Sequence, residues 1–567
     1  MFSASTAESI NTMEMFLNTH RFSSSHSNGE RSLPRILPRR TTERPVVVLK
    51  FGGTTAGSTH EDGRIASARD TIAALIDQGK FVVPVFSAFR RGRSQAHDKI
   101  SVTDMLQSIV KRLNAADDFW QEVGDFHERM TEIHLGLIKQ LELSDDSDLI
   151  MRITKDLERI KNTAVMCCGA REHVASVEDY LLTAGERLII KIFSAYFNHL
   201  HQQGRFPMRT EPATALELGI YTDDRFGNAS IDWPRAIEHA REIILGKYLE
   251  QQIMPVVSGF DGIYDPHGYF PQIMKTERAT NLEWKYRRIY RTSLGRGGSD
   301  LTATFLGWAL SAEYVGFCKE TPGVLTADDT LVGDRARTIH QLDYELATEA
   351  GNIYSKAVPP LQAARIPVHI FDPSRPENHT IIADVKLPPG LYLVERPLPT
   401  MNIHVGAIPD EPGELIKFLQ VFAKHHINVE EVRHQRSGTD CIVMGGEQHI
   451  QEALGQFADI GLPVTMQYSW YVRVVGIITE QLAAEFNHFM QQFQPLTQAS
   501  YQVGTRVLTA TLSRNRAGLY DEETRRIEQV ALAIHDTLIT REDSIARAAV
   551  TTTLDSGTTT QPDLAVI

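Results

Sequence analysis

Apolar residues in this chain follow more than one rhythm. The run Val46–Leu49 is unbroken and ends in Lys50 and a glycine pair. That pattern predicts a buried strand feeding a tight loop. From Leu181 to Leu200 (LLTAGERLIIKIFSAYFNHL) the apolar spacing is helical, which predicts a largely buried helix with Gly185-Glu186-Arg187 near its start. LTATFLGWAL, directly after LGRGGSD at Leu294 to Asp300, also reads as a helix. After Pro397 the pattern changes character. From Met401 it predicts strand, turn, helix, strand and strand: Asp410 to Gly413 make the turn that opens an amphipathic helix, and Asn428-Val429 start the next strand. The same order recurs more loosely from Tyr468 to Ile539.

Two glycine loops carry candidate chemistry. In LGRGGSD, glycines allow close backbone approach to a ligand. Arg296 offers a planar fork for a carboxylate or phosphate. The helix behind it would turn its N–H groups toward an anion. A glycine-rich turn with an incidental arginine is the plain alternative. The second loop weighs against it. In VVVLKFGGTTAGS, Lys50 ends the strand and Gly52, Gly53 and Thr54 follow, which suits a phosphate-facing nest with an ammonium beside it. It is not a Walker A loop, because GxxxxGK[ST] is absent. Glu186 admits two readings: a carboxylate for a substrate ammonium, or a helix N-terminal charge that complements the dipole.

The segments KFGGT, SVTDML, AGERL, FGNA, VVSGF and LGRGGSD occur in that order. In this the chain resembles the aspartate kinases of the amino-acid kinase family, over roughly Pro45 to Asp372. The resemblance implies an α/β fold, a mainly parallel sheet between helix layers, followed by two α+β ACT-type, ferredoxin-like units. It implies transfer of the ATP γ-phosphoryl group to the β-carboxylate of L-aspartate, the first step towards lysine, threonine and methionine. Lys50 and Asp300 would be catalytic. Thr103, Glu186, Arg296 and Ser299 would bind the amino acid, with Glu186 on its ammonium and Arg296 on its α-carboxylate. Lys50, Gly52, Gly53, Thr54, Lys319, Glu320, Leu325 and Asp328 would bind ATP. Mg²⁺ would bridge the phosphates without a dedicated protein cage. An amino-acid effector, lysine or threonine, would bind at Ile408, Asp410, Gly413, Glu414 and Leu415. ACT units would pair subunits into a homo-oligomer. A plain dimerisation module is the alternative for that region.

The nucleotide half departs from the family pattern. Lys319-Glu320 replace a Thr-Asp pair, Leu325 replaces a tyrosine and Thr330 an arginine, for which Arg335 or Arg337 could substitute. The family's later lysine is missing around Glu349 to Ser355 unless Lys356 takes its place. Fewer charge-assisted bonds should weaken ATP binding. A basic, aromatic insertion at about 264–291 includes Lys275, Arg278, Lys285, Arg287, Arg288 and Arg291, which would supply a phosphate contact or form a solvated or subunit-contacting face.

Composition narrows the field further. The chain has 567 residues, enough for several domains, with 42% hydrophobic and 23% charged residues, ordinary for a soluble protein. A formal net charge of -13 argues against a nucleic-acid partner. No apolar run reaches membrane-span length. Cys167, Cys168, Cys318 and Cys441 have no metal-site spacing and read as reduced cytosolic thiols. The expected division is a flexible extension at 1–44, a catalytic domain at 45–396, ACT units at 397–467 and 468–547, and a loose tail at 548–567. Acidic residues in the extension favour a cytoplasmic protein, with organelle import as the alternative. The competing functions are a related amino-acid carboxylate kinase of a specialised pathway and a catalytically weak sensor or partner subunit.

Overall fold

The computed structural model describes residues 44–539, apart from 59–62, 92–99, 170–174, 267–289, 352, 407–412, 426, 436–437, 446, 460–462, 494–499, 504–505 and 514–519. The N-terminal extension (all but its last residue), the C-terminal tail, and most of the insertion lie outside the described residues. The chain forms two compact units. Among the described residues, one gathers 44–324 with 353–384; the other gathers 325–351 with 385–539.

The first unit contains β1 (Val46–Phe51), α1 (Arg64–Asp77), β2 (Phe81–Phe86), α2 (Val102–Ala115), α3 (Phe119–Gln140), α4 (Ser147–Gly169), α5 (Ala175–Leu182) and α6 (Ala184–Gln202). There follow β3 (Arg209–Ala213), α7 (Trp233–Ile243), β4 (Ile253–Ser258), β5 (Asp261–Tyr264), β6 (Tyr290–Ser293), α8 (Gly298–Leu310), β7 (Tyr314–Cys318), α9 (Val358–Ala364), β8 (Val368–Phe371) and β9 (His379–Ile382). Within this unit the sheet runs β9-β8-β7-β1-β2-β4-β3. All these neighbours pair in parallel except β9, which is antiparallel to β8. Successive residues of β1, β2 and β4 are buried almost without exception, so both sheet faces are covered. That explains unbroken apolar runs where an alternating pattern would mark a half-exposed sheet. Helices α1, α6 and α8 pack on the sheet. Phe86 stacks on Phe51 (4.9 Å) and meets Phe193 edge-on (4.6 Å), tying β1, β2 and α6 into one core.

Two expectations are refined. The helix expected from Leu181 is two helices, α5 and α6, which meet at Thr183. The Thr183 hydroxyl bonds the Asp179 carbonyl at 2.8 Å, and Arg187 bonds both Thr183 Oγ1 and the Tyr180 carbonyl. The insertion begins and ends in an antiparallel hairpin, β5 against β6. There Arg291 makes a buried ion pair with Asp261 at 2.7 Å. It stabilises the stem and is not held toward a phosphate.

The second unit is an antiparallel sheet built from β10 (Gly390–Val394), β11 (Leu398–Gly406), β12 (Asn428–Gln435), β13 (Gly438–Met444), β14 (Val464–Ile477), β15 (Ser500–Val503) and β16 (Val507–Ser513). The order is β12-β13-β11-β14-β16-β15, with β10 also on β14. Strand β14 is shared. Its first half pairs with β11 and its second half with β16, so the two expected α+β repeats are fused through one long strand. Helices α10 (Glu414–Lys424) and α11 (Glu447–Asp459) enclose a core of Ile403, Phe418, Phe422 and Phe457. Helices α12 (Glu480–Met490) and α13 (Tyr520–Ile534) enclose Trp470, Val474, Phe486 and Ile534. Ala327 and Val332 belong to that second core, so a segment between β7 and α9 is built into this unit. Arg473 bonds Glu395 (2.8 Å) and Glu349 (2.9 Å), and buried His535 reaches Thr326 (3.1 Å), which holds the segment there.

Candidate active site

Strand register brings the chemistry of the first unit together. Phe51 lies opposite Phe86 on β2 and Cys318 on β7, and Phe371 on β8 also lies opposite Cys318. Phe86 lies opposite Ser258 on β4. The loops that follow these strands therefore emerge at one edge of the sheet. They carry Gly52-Gly53, Ser87-Ala88, Gly259-Phe260, Lys319-Glu320 and Asp372. The carboxyl edge of a parallel sheet is where such folds bind ligands.

Lys50 is at the centre of this edge, and its Nζ lies 2.9 Å from Asp300 Oδ1. Asp300 is in the first turn of α8, after Gly297 in the left-handed region at φ 76°. Burial alone would raise its pKa. The charges of Lys50 and Lys319 and the Tyr354 amide outweigh that and hold the carboxyl below its usual range. Lys319 shows the converse. Burial first and the like charge of Lys50 second lower its pKa, against the pull of Asp300. Two crowded ammonium groups with one carboxylate leave a site that an added anion would stabilise.

The neighbouring residue, Ser299, faces the other way. Its hydroxyl bonds Glu186 Oε1 at 2.9 Å, and Ser87 Oγ lies 3.0 Å from it. Glu186 is 1% exposed and also accepts the Phe260 amide. Burial pushes its carboxyl up to about 8, with Asp261 adding to the shift and the Phe260 amide, Ser299 and Lys50 opposing it. Gly259 makes this approach possible, since a Cβ there would lie 2.4 Å from Ser299 Oγ and 2.7 Å from Glu186 Oε1. Gly185 packs against Val102 of α2 and Ala88, which brings the start of α6 to the segment that carries Thr103. Thr103 is half-buried in the first turn of α2, which Ser101 caps through the Asp104 amide. Arg296 is exposed between Gly295 and Gly297, both at positive φ, and has no hydrogen bond or ion pair among the described residues.

A shallow cleft opens beside Lys319. Thr54, Thr55, Arg64, Lys319, Glu320 and Asp372 line it. Arg64 pairs with Glu320 at 3.1 Å across the cleft. The first glycine loop is tight against β2's exit: a Cβ on Gly53 would lie 2.3 Å from the Ala88 carbonyl oxygen. Because that neighbour is backbone, Gly53→Ala should destabilise the unit by ~1–3 kcal/mol. A lower midpoint in thermal unfolding followed by circular dichroism is the expected readout.

The model of the amino acid kinase family matches residues 45–372. The chain belongs to the amino acid kinase family. Among curated relatives, it is 25% identical over 401 residues to aspartokinase 1, chloroplastic, of Arabidopsis thaliana, covering 68% of this chain and 61% of that one. It is 27% identical over 406 residues to aspartokinase 3, chloroplastic, of the same plant, covering 69% and 63%. The chain thus spans about six-tenths of the length of these relatives. Among solved structures, E. coli aspartokinase III in complex with aspartate and ADP has the same fold, with a TM-score of 0.65 at 18% identity over 87% of this chain and 99% of that chain.

In this amino acid kinase, Lys50, Gly52, Gly53, Thr54, Lys319 and Glu320 share one edge, where Asp300 bonds Lys50 and Ser299 bonds Glu186; Thr103 follows Val102, on which Gly185 packs, and Arg296 is two residues before Gly298, which packs on Phe260. Leu325 and Asp328 belong to the other unit, where Asp328 caps a short helix through the Thr330 amide at 2.8 Å. Arg335 is also there, paired with Asp536. Of the expected effector residues, Ile408 and Asp410 lie outside the described residues, as does the Glu414 side chain. Gly413 is exposed at the start of α10 with φ 95°, and Leu415 packs on the first core of its unit. Sequence reasoning missed Arg64 and Asp179. Nothing in the sequence marks Arg64, which reaches the cleft only through the packing of α1. Asp179 had a signal, a carboxylate within the apolar segment just before AGERL. It is buried, and burial pushes its carboxyl up to about 6 against the Gly227 and Ser293 amides.

Proposed function

We propose that this chain is an aspartate kinase, which moves the γ-phosphoryl group of ATP to the β-carboxylate of L-aspartate and yields 4-phospho-L-aspartate and ADP. One observation carries the reading. Adjacent residues of one helix turn serve two sites: Ser299 holds Glu186, and Asp300 holds Lys50. That joins a buried carboxylate suited to an ammonium group with a lysine pair suited to a phosphoryl group. The names of the sequence relatives support the same activity.

In this reading, Glu186 releases its proton to solvent and its carboxylate pairs with the substrate ammonium, and Arg296 takes the α-carboxylate in a bidentate pair. The β-carboxylate is already ionised, so it attacks the γ-phosphorus without a base. An O–P bond forms, the bond to the ADP oxygen breaks, and no proton moves. Lys50 and Lys319 neutralise charge on the transferring group, which is where phosphoryl transfer needs the protein. Asp300 positions Lys50. Among the described residues no cluster of three or more His, Cys, Asp or Glu could cage a metal. In this reading Mg²⁺ would arrive on the nucleotide phosphates and shield their charge, with Asp300 and Asp372 as the carboxylates at the same edge that could face it.

The second unit would then sense an amino acid, lysine or threonine, at the turn before α10 and pair subunits. E. coli aspartokinase III has been solved with lysine and aspartate in a T-state. Among the described residues no helix is long and apolar enough to cross a membrane. A cytoplasmic site of action belongs to the same proposal, with import into an organelle as its alternative, which the chloroplastic relatives keep open.

The test is aspartyl hydroxamate formation by the purified chain with Mg²⁺, ATP, L-aspartate and hydroxylamine. ATP-dependent product is expected. ATP hydrolysis that responds to a different amino acid would reassign the acceptor. No product and no nucleotide binding would leave a sensor or partner subunit.

A further inference from the structure

Arg296 is on a loop with little to hold it. Gly295 and Gly297 flank it at φ 71° and 76°, and its exposed side chain makes no hydrogen bond or ion pair among the described residues. The loop must therefore take its position from its anchors. After it, Gly297 packs on the Tyr354 ring and Gly298 on Phe260. Before it, the anchor is a carboxylate. Asp179 on α5 is 2% exposed. Both its oxygens accept the Gly227 amide at 2.9 Å, and Oδ2 also accepts the Ser293 amide at 2.7 Å. Those two amides belong to the Gly227 loop and to the end of β6, where the Arg296 loop begins, and the two segments lie on each other. The Ala229 amide donates to the Ser293 carbonyl (2.8 Å), the Gly295 amide donates to Ser293 Oγ (3.1 Å), and a Cβ on Gly295 would lie 2.8 Å from Asn228 Oδ1.

We propose that Asp179 is a positioning residue for the acceptor substrate: through the Gly227 and Ser293 amides it sets where Arg296 presents its guanidinium. This rests on the reading of Arg296 as the α-carboxylate contact. A carboxylate suits the task because the bonds arriving are all from donors. An asparagine of the same shape would turn an N–H toward the Gly227 N–H or give up one acceptor. A buried group that loses its partner leaves the amides unpaired, and the two loops then lose their common tether.

The experiment combines Asp179→Asn with hydrogen exchange and a double-mutant cycle. In the wild-type chain, exchange should be slow at Gly227 and Ser293. In Asp179→Asn it should rise ~10-fold or more in peptides covering 225–230 and 290–298, while peptides of β1 and β2 hold their protection. Trypsin cleavage after Arg296 should accelerate in parallel. KM for L-aspartate should rise ~10-fold with KM for Mg-ATP within about twofold, and that rise should vanish in an Arg296→Ala background, because the two residues act as one unit. Fast wild-type exchange at Gly227 and Ser293 would overturn the proposal without any variant. So would a uniform rise in exchange across the unit, or equal increases in both KM values, since either describes general loosening. If the wild-type chain does not phosphorylate aspartate, the functional reading fails by itself. The exchange and trypsin results still decide whether Asp179 holds the Arg296 loop.

Discussion

Replacing Lys50 by alanine should reduce turnover ~10³-fold, the largest effect of any single change at this site. Lys50 is one of two lysines at the carboxyl edge of the sheet, and its ammonium is the one hydrogen-bonded to Asp300. Without it the transferring phosphoryl group would meet Lys319 alone, and Asp300 would no longer be held away from the incoming anion. Folding should survive, for a reason visible in the charges. Lys319 already interacts with Asp300, and removing Lys50 relieves the repulsion that lowers the Lys319 pKa. So Lys50→Ala should keep a cooperative thermal transition while losing hydroxamate formation. Lys50→Arg should recover little, because a planar fork cannot take the place of a compact ammonium. Steady-state assays of both variants, beside an unfolding curve, check this. Lys50→Ala with near wild-type turnover would remove the assignment of Lys50 to the phosphoryl group.

The second large effect is expected at Glu186 and depends on pH. Its carboxyl, ordinarily near 4.5, is pushed up to about 8 by burial, with Asp261 adding to this. An empty site then holds Glu186 protonated at neutral pH, and a substrate ammonium has to meet the ionised form. At saturating Mg-ATP, kcat/KM for L-aspartate should therefore climb as pH rises toward about 8 and level off above it. Glu186→Gln should flatten that limb and lie ~100-fold lower at its plateau, since a buried charge partner is lost. Stability gives an independent check with the opposite sense. Between 4.5 and about 8 the folded chain keeps a proton that the unfolded chain releases. Folding stability from this group is therefore greatest below 4.5 and falls as pH rises through that window, and Glu186→Gln should not show the fall. A pH-independent kcat/KM in the wild type would mean that Glu186 does not meet the substrate.

Much of the site was legible because it is written in short stretches. Lys50 with Gly52 and Gly53, Glu186 after Gly185, and Arg296 to Asp300 each combine residue types whose local chemistry is plain, and their order along the chain marks the family. The partners were not legible. That Ser299 would bond Glu186 while Asp300 bonds Lys50 depends on the register of β1, β2, β4 and β7, which brings the first turns of α6 and α8 to one edge of the sheet.

By itself, the sequence determined the alternation of apolar runs and amphipathic helices, hence an α/β unit followed by an α+β one, and the residue types at the sheet edge. Local pattern suffices there because strand and helix periods and glycine conformations are properties of a few consecutive residues. Tertiary structure alone decided the rest. It placed 325–351 with the C-terminal unit, because Ala327 and Val332 bury into the second core. It turned Arg291 inward to Asp261 and brought Arg64 to the cleft. It also raised Glu186 and Asp179 by enclosing them. Burial and charge pairing join residues far apart in the chain, and no local pattern encodes which distant group will be the neighbour.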